Sequence, residues 1–210
     1  IVESIEQDFS FDETLNEGEV EVSEWALAFC SNLSGKRKSS IGYIVGDMKQ
    51  FQTTIAEFIQ FINGGKSVDQ VMEYVKENYA IASSSLRSFF STLTNMGILE
   101  RKTATIYDVT YTARLWREKE QTVDLICIMH RQFDFMFEMP GLLEERSMSN
   151  KELAAIAKVS YGFKRENIDE IRRRVAIFQA AKLIRNDSID KYTMTSRGRK
   201  LLGLIKLQKP

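Results

Sequence analysis

The sequence predicts a mainly α-helical protein with short β-hairpins, built as two tandem units of the same element order behind an N-terminal extension. Three observations carry this expectation. From Met48 onward, apolar residues recur at intervals of three and four, the period of helices with one buried face. Two of these helical runs pass into pairs of short segments rich in Ile, Val, Tyr and Thr, as a hairpin requires. The only prolines among the 210 residues are Pro140 and Pro210, so no rigid linker divides the interior. The boundaries read as an extension over 1–45, a first unit over 46–120 and a second over 121–210.

Composition bounds the possibilities. Hydrophobic residues make up 43% and charged residues 28% of the chain, which is ordinary for a protein with a buried core. No apolar run approaches the roughly 20 residues of a membrane span, so no membrane partner is expected. The acidic N-terminus has no signal-peptide pattern, and a chain that starts at Ile1 reads as a fragment or a processed product. Cys30 and Cys127 are far apart in sequence and among apolar residues, so both read as buried free thiols. That suits an intracellular location, cytoplasmic or nucleoid-associated. The net charge of zero is a sum of opposites. Residues 1–30 carry nine acids and no Lys or Arg, whereas residues 164–210 carry thirteen bases and five acids, a net of +8.

The elements follow in order. Ile1–Glu21 is polar and acidic, with only Phe9, Phe11 and Leu15 to dock it, and reads as a loosely attached arm. Ser23 caps a short helix to about Asn32. Ser34–Ser40 contains Lys36-Arg37-Lys38 and reads as a flexible basic loop with cations for phosphates. Met48–Ile62 is an amphipathic helix, with Phe51, Ile55, Phe58, Ile59 and Ile62 on one side and Asn63-Gly64-Gly65 ending it. Ser67 caps a helix carrying Val68, Val71, Met72 and Val75. Ser83–Met96 buries Leu86, Phe89, Phe90 and Leu93, and Gly97 closes it. Ile98–Lys102 and Ile106–Tyr111 form a hairpin. Thr122–Phe137 reads as one long apolar helix, ended by Pro140-Gly141. Ser149 and Glu152 form a capping box ahead of Leu153, Ile156 and Ala157. After a turn at Val159–Gly162, the helix Arg165–Ala181 turns Ile168, Ile171, Val175 and Phe178 inward. Leu183-Ile184 and Tyr192–Thr195 flank a turn at Asn186-Asp187 as the second hairpin. Met96–Leu99 matches Ala181–Ile184 at the two helix–hairpin junctions, and Val109–Arg114 matches Tyr192–Arg197 at the hairpin exits.

The stretch Ser149–Lys200 resembles the winged helix-turn-helix superfamily, with KELAAIAKVS as the first half of such a motif and YTMTSRGRKLL as the last wing strand entering a closing helix. The resemblance implies two tandem winged-helix units that bind double-stranded DNA, either as the recognition part of a restriction-type enzyme or as a regulator of transcription. In that fold the second helix of the motif offers its N-terminal residues to the major groove. In the first unit these are Ser83, Ser84, Ser85 and Arg87. In the second they are Lys164, Arg165, Asn167, Arg172 and Arg173, with Asn167 suited to adenine and Arg172 to guanine. Arg165, Asp169, Arg172 and Arg173 are expected to form one exposed mixed-charge face. The wings add Arg101 and Lys102, and Arg185 and Lys191. Each set also has a plain reading, as solvated helix faces or charged hairpin tips that block edge pairing.

No catalytic constellation is visible. His130 is the only histidine, so one His and two distant Cys make no zinc site. Neither GxGxxG nor GxxxxGK[ST] occurs. Glu144-Glu145 and Asp187/Asp190 do not fall in the arrangement a metal-dependent nuclease needs. The expectation is therefore a binding module with no cofactor and no metal, any nuclease domain lying outside this chain. The competing class is a protein-interaction scaffold of a larger assembly, like the winged-helix partners of chromosome-organising ATPases. It would dock through Phe133, Phe135, Met136, Phe137 and Met139, whose density exceeds what one helix face buries.

Overall fold

A computed structural model describes residues 19–33, 35–79, 83–164 and 167–207. Nearly all of the expected acidic arm lies outside the described residues, as does Arg165. The described residues form ten α-helices and two three-stranded antiparallel sheets. After α1 (Glu24–Ser31), one series of elements occurs twice. The first series is α2 (Phe51–Ile62), β1 (Lys66–Ser67), α3 (Val68–Asn78), α4 (Ser83–Met96), β2 (Leu99–Arg101), β3 (Ile106–Val109) and α5 (Tyr111–Arg117). The second opens with two helices, α6 (Thr122–Gln132) and α7 (Glu138–Glu145), followed by β4 (Met148–Ser149), α8 (Asn150–Ser160), α9 (Ile168–Ala180), β5 (Ile184–Ser188), β6 (Lys191–Met194) and α10 (Ser196–Leu207). The sheet orders are β1-β3-β2 and β4-β6-β5.

Each sheet has a strand that hydropathy did not show, because β1 and β4 are two residues long and carry no period. Both strands end on a serine that starts a helix. Ser67 and Gln70 form a capping box at α3, as Ser149 and Glu152 do at α8. The junctions also correspond. Ile98 N–H donates to Leu93 O at 3.0 Å, and Leu183 N–H to Phe178 O at 2.9 Å. Thr110 Oγ1 donates to Gly97 O at 2.7 Å, and Thr195 Oγ1 to Lys182 O at 2.8 Å. Leu99 pairs with Val109, and Ile184 with Met194. The exit of the first hairpin therefore matches the second with Thr110 on Thr195. The sequence match of Thr110 to Thr193 is two residues out of register, a slip that two closely spaced threonines invite.

The apolar segment after Thr122 is not one helix. α6 stops at Gln132, and Phe133 takes an extended conformation. Phe135 sits at φ +60, and Pro140 lies in the first turn of α7, where its missing N–H is no loss. This broken path distributes apolar side chains in several directions. Phe133, Phe135, Met136 and Met139 are fully buried and Phe137 nearly so, so the docking patch expected there is interior. One apolar cluster runs through both series of elements.

The described part of the N-terminal extension is built into that core. α1 packs on α6, and Ser23 gives its N–H to Asp124 Oδ1 at 2.8 Å and its hydroxyl to Oδ2 at 2.6 Å. Burial raises the Asp124 pKa, and the two Ser23 bonds oppose the shift. Cys30 and Cys127, both free and buried, meet at the same contact. The hydrogen bond between the Cys127 thiol and Cys30, together with burial, favours the protonated form and holds the Cys127 pKa well above its usual range.

Candidate nucleic-acid interface

α4 forms as a helix because Leu86, Phe89, Phe90, Leu93 and Met96 share one face and bury it. The opposite face is polar. Arg87, Ser88, Ser91 and Thr94 are exposed, and Ser85 and Asn95 are half-buried. No carboxylate occurs anywhere in this helix. Its polar side chains are hydroxyls, one amide and one guanidinium, a set that donates hydrogen bonds to phosphate oxygens and base edges.

Against this face runs Lys36–Gly42, which is not a free loop. Lys38 makes a parallel bridge with Phe133, its N–H on Gln132 O and its O accepting from Asp134 N–H, both at 2.9 Å. Exposure alternates as in a strand: Lys36, Lys38 and Ser40 are exposed, Arg37 and Ser39 are half-buried, and Ile41 is buried. Arg37 points inward, where its guanidinium meets Asp134 at 3.1 Å and Glu138 at 2.6 Å. The same guanidinium lies 3.4 Å from His130 Nδ1. It is therefore committed to the interior and does not serve phosphates. Lys38 Nζ bonds Asn95 Oδ1 of α4. Between the strap and α4 lies a cleft of about 450 Å³ lined by Lys38, Ser39, Ser40, Ser88, Ser91 and Asn95.

α9 is placed differently. Six of its thirteen residues are buried, and only Asp169 and Arg172 are exposed, paired to each other at 3.2 Å. Arg173 is 34% exposed and donates to the buried Glu170 at 2.6 Å. Arg174 has no exposure at all. Periodicity gave this side of the helix to solvent. In the structure it faces the strap, which sequence spacing within one helix cannot reveal. Of the exposed face expected here, Arg165 lies outside the described residues, Asp169 and Arg172 form one exposed ion pair, and Arg173 is partly drawn in. Asn167 is the N-cap of α9, its Oδ1 accepting from Glu170 N–H at 3.3 Å. That oxygen is thus engaged and not free for a two-bond contact to adenine.

The remaining candidates are scattered around these helices. Ser83 and Ser84 lie at the start of α4, and Lys164 is exposed ahead of α9. In the first hairpin, Arg101 turns back on its own tip, giving Nε–H to Thr103 O at 3.0 Å and a second bond to Ala104 O. Lys102 pairs with Glu100 at 2.6 Å. In the second, Arg185 and Lys191 are exposed. Of the three loop cations expected to be available to phosphates, Lys36 and Lys38 stay exposed, but on an ordered strap and not on a flexible loop, and the signal for that was the alternation of Lys36–Ile41.

Among the described residues, no group of His, Cys, Asp and Glu is arranged to hold a metal ion, and no helix is long and apolar enough to cross a membrane. No protein-family model matches the chain, and no curated protein or solved structure does.

Proposed function

We propose that the chain is a double-stranded DNA-binding module of two tandem winged-helix units, with α4 of the first unit as the helix that meets DNA. The repeated order of helix, strand, two helices, hairpin and closing helix supports the winged-helix reading. The observation that carries the DNA reading is the exposed face of α4, which offers Arg87, Ser88, Ser91 and Thr94 without a single carboxylate to repel phosphate. α9 offers one exposed cation already paired to an acid, so the two helices divide into a contact helix and a structural one.

Fluorescence anisotropy on a mixed-sequence duplex at two salt concentrations tests this. Affinity is expected to fall steeply between about 50 and 200 mM salt, as counterion release requires. Arg87→Ala is expected to weaken binding, with a salt slope lower by about 1 if the guanidinium sits on a phosphate. Absence of salt-dependent binding would overturn the reading.

A further inference from the structure

We infer that the strap Lys36–Gly42 is a second DNA-contacting element, with Lys36 and Lys38 on the phosphate backbone beside α4, and that Glu170 and Arg174 of the second unit are the positioning residues that hold it there. The inference rests on the DNA-binding reading above and adds to it a site and a coupling between units.

The outer edge of the strap carries Lys36 and Lys38, both exposed and, in extended chain, about 7 Å apart on the same side. The carboxylates that touch the strap lie on its inner side and are already engaged. Asp134 and Glu138 hold Arg37. Glu170, with a side chain 4% exposed, holds Arg173 and Arg174. The outward field of the segment is therefore that of its two ammonium groups, next to a helix face that carries no acid.

The position of the strap is set from the other unit. Glu170 accepts from Ser40 Oγ at 2.7 Å and from Ile41 N–H at 2.9 Å. Arg174, fully buried, gives Nη2–H to Ser39 O at 2.9 Å and to Asp134 O at 3.0 Å. On the far side, Gly42 closes on α4 at φ +87, and a Cβ there would lie 2.4 Å from Thr92 Oγ1. The strap is thus pinned to α9 by hydrogen bonds and to α4 by close approach, and this pins its lysines at the edge of the α4 cleft.

The test uses the whole chain and a mixed-sequence duplex of about 20 base pairs, read by anisotropy over a salt series. Lys36→Ala/Lys38→Ala is expected to lower the salt slope by about 2, one for each phosphate that no longer meets an ammonium group. Glu170→Gln is expected to weaken binding by the wild-type lysines and to have no effect when both lysines are alanine, because it acts only through the strap. A merely structural role would weaken binding equally in both backgrounds. Should Glu170→Gln fail to fold, Ser40→Ala removes the 2.7 Å anchor at the surface and carries the same comparison. If the wild type binds with salt dependence and the lysine pair changes neither slope nor affinity, the strap inference falls and the α4 reading stands. If the wild type shows no salt-dependent binding, both fall.

Discussion

Arg174 carries a charge into a site with no solvent exposure, and its partners explain how. Its guanidinium donates to Glu170 O at 3.0 Å, Glu170 Oε2 at 3.1 Å and two further carbonyls, and its face lies 5.0 Å from the centre of the Phe163 ring. Burial pulls its pKa down to about 10, and the Glu170 carboxylate opposes that shift, so the group stays charged at neutral pH. Removing one member of a buried pair strands the other, which typically costs about 3–5 kcal/mol. In Arg174→Met the Glu170 carboxylate keeps Arg173, Ser40 and Ile41 as partners, so the unfolding free energy from urea titration is expected to fall by less than that, by about 2–3 kcal/mol. Arg172→Ala, which breaks an ion pair whose side chains are 65% and 73% exposed, is expected to move it by less than about 1 kcal/mol. Glu152 gives a second residue-level prediction. The Ser149 backbone N–H, the Ser149 hydroxyl and Arg146 hold its carboxylate down at about 2 from an ordinary 4.5. A depressed carboxyl pKa stabilises the fold above the unfolded value, and that contribution is lost as pH falls through the folded one. The equivalent position in the first unit is Gln70, which does not titrate. Glu152→Gln is expected to flatten the dependence of Tm on pH between about 5 and 2, and Gln70→Glu to steepen it. Equal slopes for all three proteins in thermal scans would contradict the assignment.

The junction between the penultimate helix and hairpin of each unit shows one backbone solution reached with two residues. Gly97 takes φ +78 and Lys182 φ +57, each after the same set of helix-ending hydrogen bonds. An L-residue in the left-handed region costs about 1–2 kcal/mol, against an entropic cost of about 0.5–1 kcal/mol for glycine. Lys182→Gly is therefore expected to stabilise the protein by up to about 1 kcal/mol, and Gly97→Lys to destabilise it by a similar amount, measured by denaturant midpoints. At this scale much was legible in the sequence. The helices of Phe51–Ile62, Val68–Asn78 and Ser83–Met96 announced themselves through apolar period, serine caps and terminal glycines, and the hairpins through their junctions. What failed to show was set by partners distant in the chain. β1 and β4 exist only because β3 and β6 pair with them. The Thr122–Phe137 run reads as one helix until Lys38 bridges Phe133 and the chain turns at Phe135. The candidate site followed the same rule. The polar face of α4 could be read from one helix, whereas the covering of α9 and the inward turn of Arg37 depend on a strap and a helix that lie far apart in the chain.

At the scale of the whole molecule, the described end of the extension, read as separate from the two units, touches both of them, alongside the apolar core they share. Residues 37–41 bond to the segment after α6, to α7 and to α9, and residue 42 abuts α4. Arg37 is the central member of this contact, since it bridges Asp134 and Glu138 while lying close to the carbonyls of His130 and Phe133. Hydrogen bonds to charged groups are each worth about 1.5–3 kcal/mol, so Arg37→Met is expected to cost at least about 2–3 kcal/mol. The manner of the loss distinguishes a joint from an ordinary stabilising residue. In the wild type the continuous core and the strap should make unfolding a single cooperative transition. Fluorescence of the buried Trp116, whose indole N–H donates to Gln121 O at 2.8 Å, and exchange of the α9 amides should report the same free energy. In Arg37→Met the α9 amides are expected to open at a lower free energy than the Trp116 transition, because α9 loses the ordered strap that covers its Glu170–Arg174 side. If both probes shift together, the strap adds stability without joining the units. If neither shifts, Arg37 is no joint at all, and the continuous apolar core holds the halves together.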